Sequence, residues 1–284
     1  MQPLSIALIS GTVGGLAGAF AGKMWDAGEK WLRSFFRDHN PRAQEKAMQN
    51  ALFFISDLAH RVQQIEKKTE DDQELREKMN HALEDPDFSA LLKDAIIASS
   101  RTSSEDKRKV LARIVSERLR CPPEGLVALT SILACDAVKY LTPDQMMFLG
   151  LAALVYYIRP IPLPSEEIGK YYVDWLSKSI SPFLPLKSPS FLDLLHLESV
   201  SCIKPGSVPV YLLRAVLRPS TEGDYGWPYD DFVKDNAGRQ LSELWDNVIQ
   251  KYTLTTPGQL LGVYVYDELN KTKTGIDWEF PLLR

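Results

Sequence analysis

The chain has 284 residues, 45% hydrophobic, 25% charged and 10% aromatic, the make-up of a folded globular protein, which excludes disorder of the whole chain. A formal net charge of -4 and a pI near 5.7 leave no chain-wide basic excess of the kind that broad nucleic-acid binding needs. Three cysteines, Cys121, Cys135 and Cys202, form neither a disulfide framework nor a zinc pattern and read as reduced, mostly buried thiols of a cytosolic body.

The first predicted element stands outside this ordinary vocabulary. From Pro3 to Gly22 there are 20 residues and no charge. As a helix this stretch measures about 30 Å, enough to just span the hydrocarbon layer of a bilayer. Ser10, Gly14, Gly18 and Gly22 form one row of small residues four apart, and Gly11, Gly15 and Ala19 a second, so both rows share one side of the helix. This glycine-zipper spacing is the one by which helices approach closely in lipid. Ile6, Leu8, Ile9, Val13, Leu16 and Phe20 stand opposite. The five glycines cost about 1 kcal/mol each relative to alanine in an isolated helix. Close packing of several copies would offset that cost.

Three other readings of the segment compete. A phosphate-binding loop fails at two positions, because Ala17 stands where the first glycine belongs and Met24 where the hydroxyl belongs. A secretory signal fits better, with "AFA" before Gly22 in the place of a cleavage site, but Met1, Gln2 and Pro3 supply no basic n-region and glycine interrupts the apolar core. Burial of the glycine-rich stretch in the protein's own core stays open.

Immediately downstream, Trp25, Trp31 and Phe35 recur at helical spacing beside Lys23, Lys30 and Arg33. Tryptophan with lysine or arginine fits a membrane interface, and it fits equally an amphipathic helix with its rings turned inward. Basic residues flank only the C-terminal side, so an inserted segment would keep the body of the chain in the cytoplasm, attached to the inner membrane through its N-terminus.

Arg42 to Lys68 reads as one long helix, with Ala47, Ala51, Phe54, Ile55, Leu58, Val62 and Ile65 on a heptad-like stripe. The charged run from Glu66 to Lys78 reads as a solvated connector. Two helices joined by a polar turn follow between Asp85 and Leu119. Thr102 and Glu105 have capping-box spacing, placing the second start near Ser103. Thr142 followed by Pro143 marks a further helix start, and the proline-rich stretch 158–164 a subdomain boundary. Beyond it the pattern is mixed but mostly helical, with a strand-like piece at Val208–Leu217 and last helices around Gly238–Tyr252 and Thr256–Asn270. The expected organisation is a mainly α protein: an N-terminal glycine-rich and amphipathic helix over 1–40, a helical bundle over 41–160 and a mixed, mostly helical part over 161–284.

The sequence carries no recognisable chemistry. His39, His60, His81 and His196 stand far apart, none in a metal-hydrolase context, and neither a nucleophile elbow nor a dinucleotide fingerprint occurs. The cysteines read as structural, and no cofactor or metal site is expected.

Two resemblances sit on quoted stretches. "FLDLLHLESVSCI", followed later by "YTLTTPGQLLGVYVY", resembles the cadence of a winged-helix domain. Its candidate recognition helix carries Asp193 and Glu198 and no basic residue to meet phosphates, so protein contact rather than direct nucleic-acid binding is implied. The order of "SSEDKRKVLARIVSERL", "LTPDQMMFLGLAAL" and this ending, behind a glycine-rich apolar start, resembles bacterial abortive-infection, antiviral defence factors. That resemblance implies a bacterial defence effector and assigns no active site. The glycine-rich helix, with no catalytic motif beside it, points to a non-enzymatic protein that is homo-oligomeric through that helix and acts at a membrane once freed from a covering body or regulatory partner. A soluble adaptor whose N-terminal helix docks on a partner protein is the reading from a different class.

Overall fold

The computed structural model describes residues 15–68, 73–74, 77, 81–82, 84–122, 124–160, 168–206, 212–218 and 228–274. Among them the protein is mainly helical, with twelve α-helices and two three-residue strands. The chain forms two compact units, Met1–Tyr140 and Leu141–Arg284. That division precedes the proline-rich stretch on which the sequence places its boundary.

Unit one is a bundle of α1 (Gly15–Phe35), α2 (Pro41–Lys68), α3 (Pro86–Ser100), α4 (Glu105–Arg118) and α5 (Leu126–Val138). The predicted stripe of α2, from Ala47 to Ile65, is buried throughout. α1, α3 and α4 all pack on α2, which makes it the central helix of the unit. Helix starts follow local chemistry. Asp85 caps α3, its Oδ1 accepting from the amides of Asp87 at 2.9 Å and Phe88 at 3.4 Å, with Pro86 at the first position, where a missing N–H costs nothing. α4 begins later than Thr102 and Glu105 suggest. Its N-cap is Ser104, whose hydroxyl accepts from the Lys107 amide, while Thr102 Oγ1 accepts from the Ser104 amide at 3.1 Å and shapes the turn before the helix.

Unit two is organised on α6 (Pro143–Tyr157) and α12 (Thr256–Asn270), its most extensive helix pair. Thr142 and Gln145 make the capping box that starts α6. The two helices approach closely because each presents a glycine: a Cβ at Gly262 would lie 2.5 Å from the Leu149 carbonyl oxygen, and one at Gly150 would lie 3.0 Å from Val265 Cγ1. Arg159 closes the other end of α6, donating to the carbonyls of Leu154, Val155 and Ile158 and to that of Val216.

Around this pair lie α7 (Ile168–Ile180), α8 (Phe191–Ser199), α9 (Leu213–Val216), α10 (Tyr229–Phe232) and α11 (Asn236–Asn247). The strands β1 (Ile203–Pro205) and β2 (Tyr252–Leu254) pair antiparallel, with Ile203 opposite Leu254. The strand-like piece at Val208–Leu217 is corrected in its described part: Leu213–Val216 forms a helical turn, because the Leu212 carbonyl accepts from the amides of Ala215 and Val216. Tyr156 Oη lies 3.0 Å from the Ile249 carbonyl and 3.1 Å from that of Tyr252, tying α6 to the entry of β2.

Candidate functional site

The N-terminal helix is the element the sequence singles out. Ser10, Gly11 and Gly14 of its small-residue rows lie outside the described residues, as does most of Pro3–Gly22. Gly15 opens α1, Gly18 is buried, and Gly22 is half-buried with nothing within 4 Å of where a Cβ would stand. Among the described residues no helix is long and apolar enough to cross a membrane.

α1 is amphipathic, and its apolar row is seated on unit one. Phe20, Ala21, Met24, Trp25, Leu32 and Phe36 are buried. The Phe20 ring lies 6.2 Å from that of Phe88 in α3. Gly28 lets α1 come down onto α3, since a Cβ there would stand 2.9 Å from Ile96 Cδ1. Lys23, Lys30 and Arg33 occupy the exposed face, and Arg33 donates to Glu29 Oε1 from Nη2 at 2.6 Å and Nε at 3.0 Å. Such an exposed pair contributes little to stability.

The aromatic residues divide. Trp25 is 6% exposed and belongs to the core, Trp31 is half-buried, and Phe35 is 45% exposed with its ring edge-on to Phe36. Trp25 is drawn inward because it lies beside Met24 and four positions after Ala21, on the same face as Gly28 and Leu32. Each large side chain in this row contributes about 1.5–3 kcal/mol by leaving water. Met24, Trp25 and Leu32 therefore fix the C-terminal part of α1, and Phe20 and Ala21 are buried at the end of the uncharged stretch.

The residues that sequence weighs for chemistry lie apart. His60 Nδ1 is 2.8 Å from the Ser56 carbonyl, His81 pairs with Glu84 at 3.0 Å, and His196 Nδ1 is 3.1 Å from Gln145 Oε1. Cys135 and Cys202 are buried, and burial pushes each thiol up to about 12. Cys121 is half-buried and donates to the Glu117 carbonyl. Among the described residues no group of three or more His, Cys, Asp and Glu side chains is placed to hold a metal ion. Asp193 is held below the usual carboxylate range by hydrogen bonds from Ser190, whose hydroxyl and amide it accepts at 2.6 and 2.9 Å, a capping arrangement that starts α8.

Two features escaped the sequence reading. Leu126, Leu129 and Leu133 form an exposed row on α5. Arg101 and Lys107 converge on a cavity beside Lys139 across a polar turn, a convergence that no local motif announces.

No curated protein and no solved structure matches the chain. One family model, whose description assigns no activity, matches residues 18–218, from within α1 to just beyond α9, and the chain belongs to that family.

Proposed function

We propose that the protein is a non-enzymatic effector of bacterial antiviral defence, of the abortive-infection kind. Its uncharged N-terminal segment is kept against its own helical body until a trigger frees it to associate with other copies at the inner membrane. The observation that carries this reading is the seating of α1 on unit one, which buries Phe20 and Ala21 at the end of the uncharged stretch. Met24, Trp25 and Leu32 anchor the helix, while Phe20 and Ala21 are the described side chains buried before Gly22. Detaching those two costs about 2–3 kcal/mol, an amount that differential binding of a ligand or partner supplies readily. Covering is required because an exposed uncharged face invites aggregation. The winged-helix-like order of α8, β1, β2 and α12 would serve protein contact in this scheme.

A second reading is a soluble adaptor. It is favoured by the exposed row Leu126, Leu129 and Leu133 on α5. Expressing the full chain and a form lacking residues 2–14 in bacteria separates the two. The deletion spares every described residue, and circular dichroism of the shortened protein checks that the described helices still form. The effector reading expects growth arrest and membrane recovery from the full chain alone. A soluble full chain, or a shortened chain of equal toxicity, overturns it.

A further inference from the structure

The turn between α3 and α4 and the last turn of α5 enclose a cavity of about 150 Å³. Its polar lining is Arg101, Thr102, Lys107 and Lys139, and Leu111 and Val138 contribute an apolar wall. Lys139 is already neutralised, donating to Asp136 at 2.5 Å and Asp94 at 3.3 Å. Arg101 and Lys107 are different. Neither side chain has an ion pair or hydrogen bond among the described residues. Lys107 is partly removed from water, and burial alone pulls its ammonium below the usual lysine value, with no carboxylate near enough to pull it back. Glu105, in the first turn of α4, is occupied by Lys109.

A half-buried, unpaired ammonium is costly to keep charged, and an anion in the cavity removes that cost. Thr102 supplies a neutral donor. Its Oγ1 accepts from the Ser104 amide at 3.1 Å, which leaves the hydroxyl proton free to donate. A carboxylate is matched best by one arginine fork, whereas separate donors on an ammonium, a guanidinium and a hydroxyl suit a tetrahedral, multiply charged oxyanion. The two unpaired cations also match a dianion in charge.

We propose that this cavity is a phosphate site, in which Arg101, Lys107 and the Thr102 hydroxyl hold the phosphate group of a small soluble ligand. Arg101 is exposed at the rim, so the rest of such a ligand extends past it. The inference stands apart from the effector reading and is tested by binding alone.

Isothermal titration of the full chain with inorganic phosphate and with pyrophosphate, using acetate at equal ionic strength as the control, measures it. Saturable binding of one phosphate or pyrophosphate per chain is expected, with no saturable binding of acetate. Arg101→Gln and Lys107→Gln each weaken it by about tenfold, and the double variant abolishes it. Neither change removes an existing partner, so the thermal midpoints stay at or above that of the parent. If Lys107→Gln folds poorly, exposed Arg101 carries the test. Pyrophosphate-bearing vesicle lipid in place of the soluble anion is the discriminating arm: tighter binding to vesicles than to free pyrophosphate overturns the soluble-ligand assignment. Absence of saturable binding, equal binding of acetate, or binding unchanged in the double variant overturns the site.

Discussion

Gly28 of α1 faces Ile96 of α3 so closely that a Cβ at Gly28 would stand 2.9 Å from Ile96 Cδ1 and 3.7 Å from Ile55 Cδ1. Both neighbours are the tips of flexible side chains, so one methyl group is accommodated by a small shift. Gly28→Ala is expected to change stability by less than about 1 kcal/mol, because the gain in helix propensity offsets the crowding. Gly28→Leu cannot be accommodated and lifts α1 from its seat at a cost of about 1–3 kcal/mol. Urea unfolding and limited proteolysis within α1 read both effects. A leucine variant cleaved no faster than the parent would show that the seat is held elsewhere.

A second glycine tests the core of the other unit. The Cβ of alanine at Gly262 would meet backbone, the Leu149 oxygen at 2.5 Å, as well as Ala153 Cβ at 2.7 Å, whereas at Gly150 it would meet only side-chain atoms of Phe183 and Val265. Backbone within a helix cannot yield as a side chain can. Gly262→Ala is therefore expected to lie at the upper end of the range of about 1–3 kcal/mol for overpacking, with Gly150→Ala below it. Chemical denaturation of the two variants decides the order, and equal costs would show that α6 and α12 can slide apart.

The thiols should react in sequence. Cys135 and Cys202, pushed to about 12 by burial, stay protonated and inaccessible in the folded protein, whereas half-buried Cys121 reaches a thiol reagent first. Mass spectrometry after brief labelling at neutral pH is expected to find one modified cysteine, and three after unfolding. The same burial makes alkali destabilising. Above the unfolded value of 9.0 the unfolded chain releases these protons and the folded chain keeps them, so stability falls as pH rises from 9.0 towards 12. A thermal midpoint flat across that window would contradict the burial of both thiols.

Periodicity made the helices legible, and local chemistry made several starts legible. The stripe from Ala47 to Ile65 is buried as its spacing requires, and Thr142 with Pro143 starts α6. The start of α4 was misplaced because Thr102 and Ser104 are both competent caps, and the geometry of the turn, not the spacing to Glu105, selects Ser104. Trp25 illustrates a different limit. Its pattern with Lys23 and Lys30 is common to a lipid interface and to an amphipathic helix on a protein core, so only the tertiary partners of its face distinguish the two. The convergence of Arg101 and Lys107 with Lys139 depends on how α3, α4 and α5 pack, which no window of sequence contains.

Gly22 separates the fold from the self-association that the proposed function requires. It sits in α1 with nothing within 4 Å of its Cβ position, so a larger side chain meets open space in the folded chain. Leucine there should add about 0.8 kcal/mol of helix propensity, leaving the thermal midpoint equal or higher. Gly18 offers no such clean test, because it is buried and substitution there disturbs the seat itself. If the row Ser10, Gly14, Gly18 and Gly22 brings copies together, the isobutyl group of Gly22→Leu fills the groove through which two helices approach. Stability and function then move in opposite directions. Crosslinking of membrane fractions and growth arrest are expected to fall together, while membrane recovery, which follows hydrophobicity, is kept. A Gly22→Leu variant that crosslinks and arrests growth like the parent would remove the glycine row from the mechanism and leave the uncharged stretch as an anchor only.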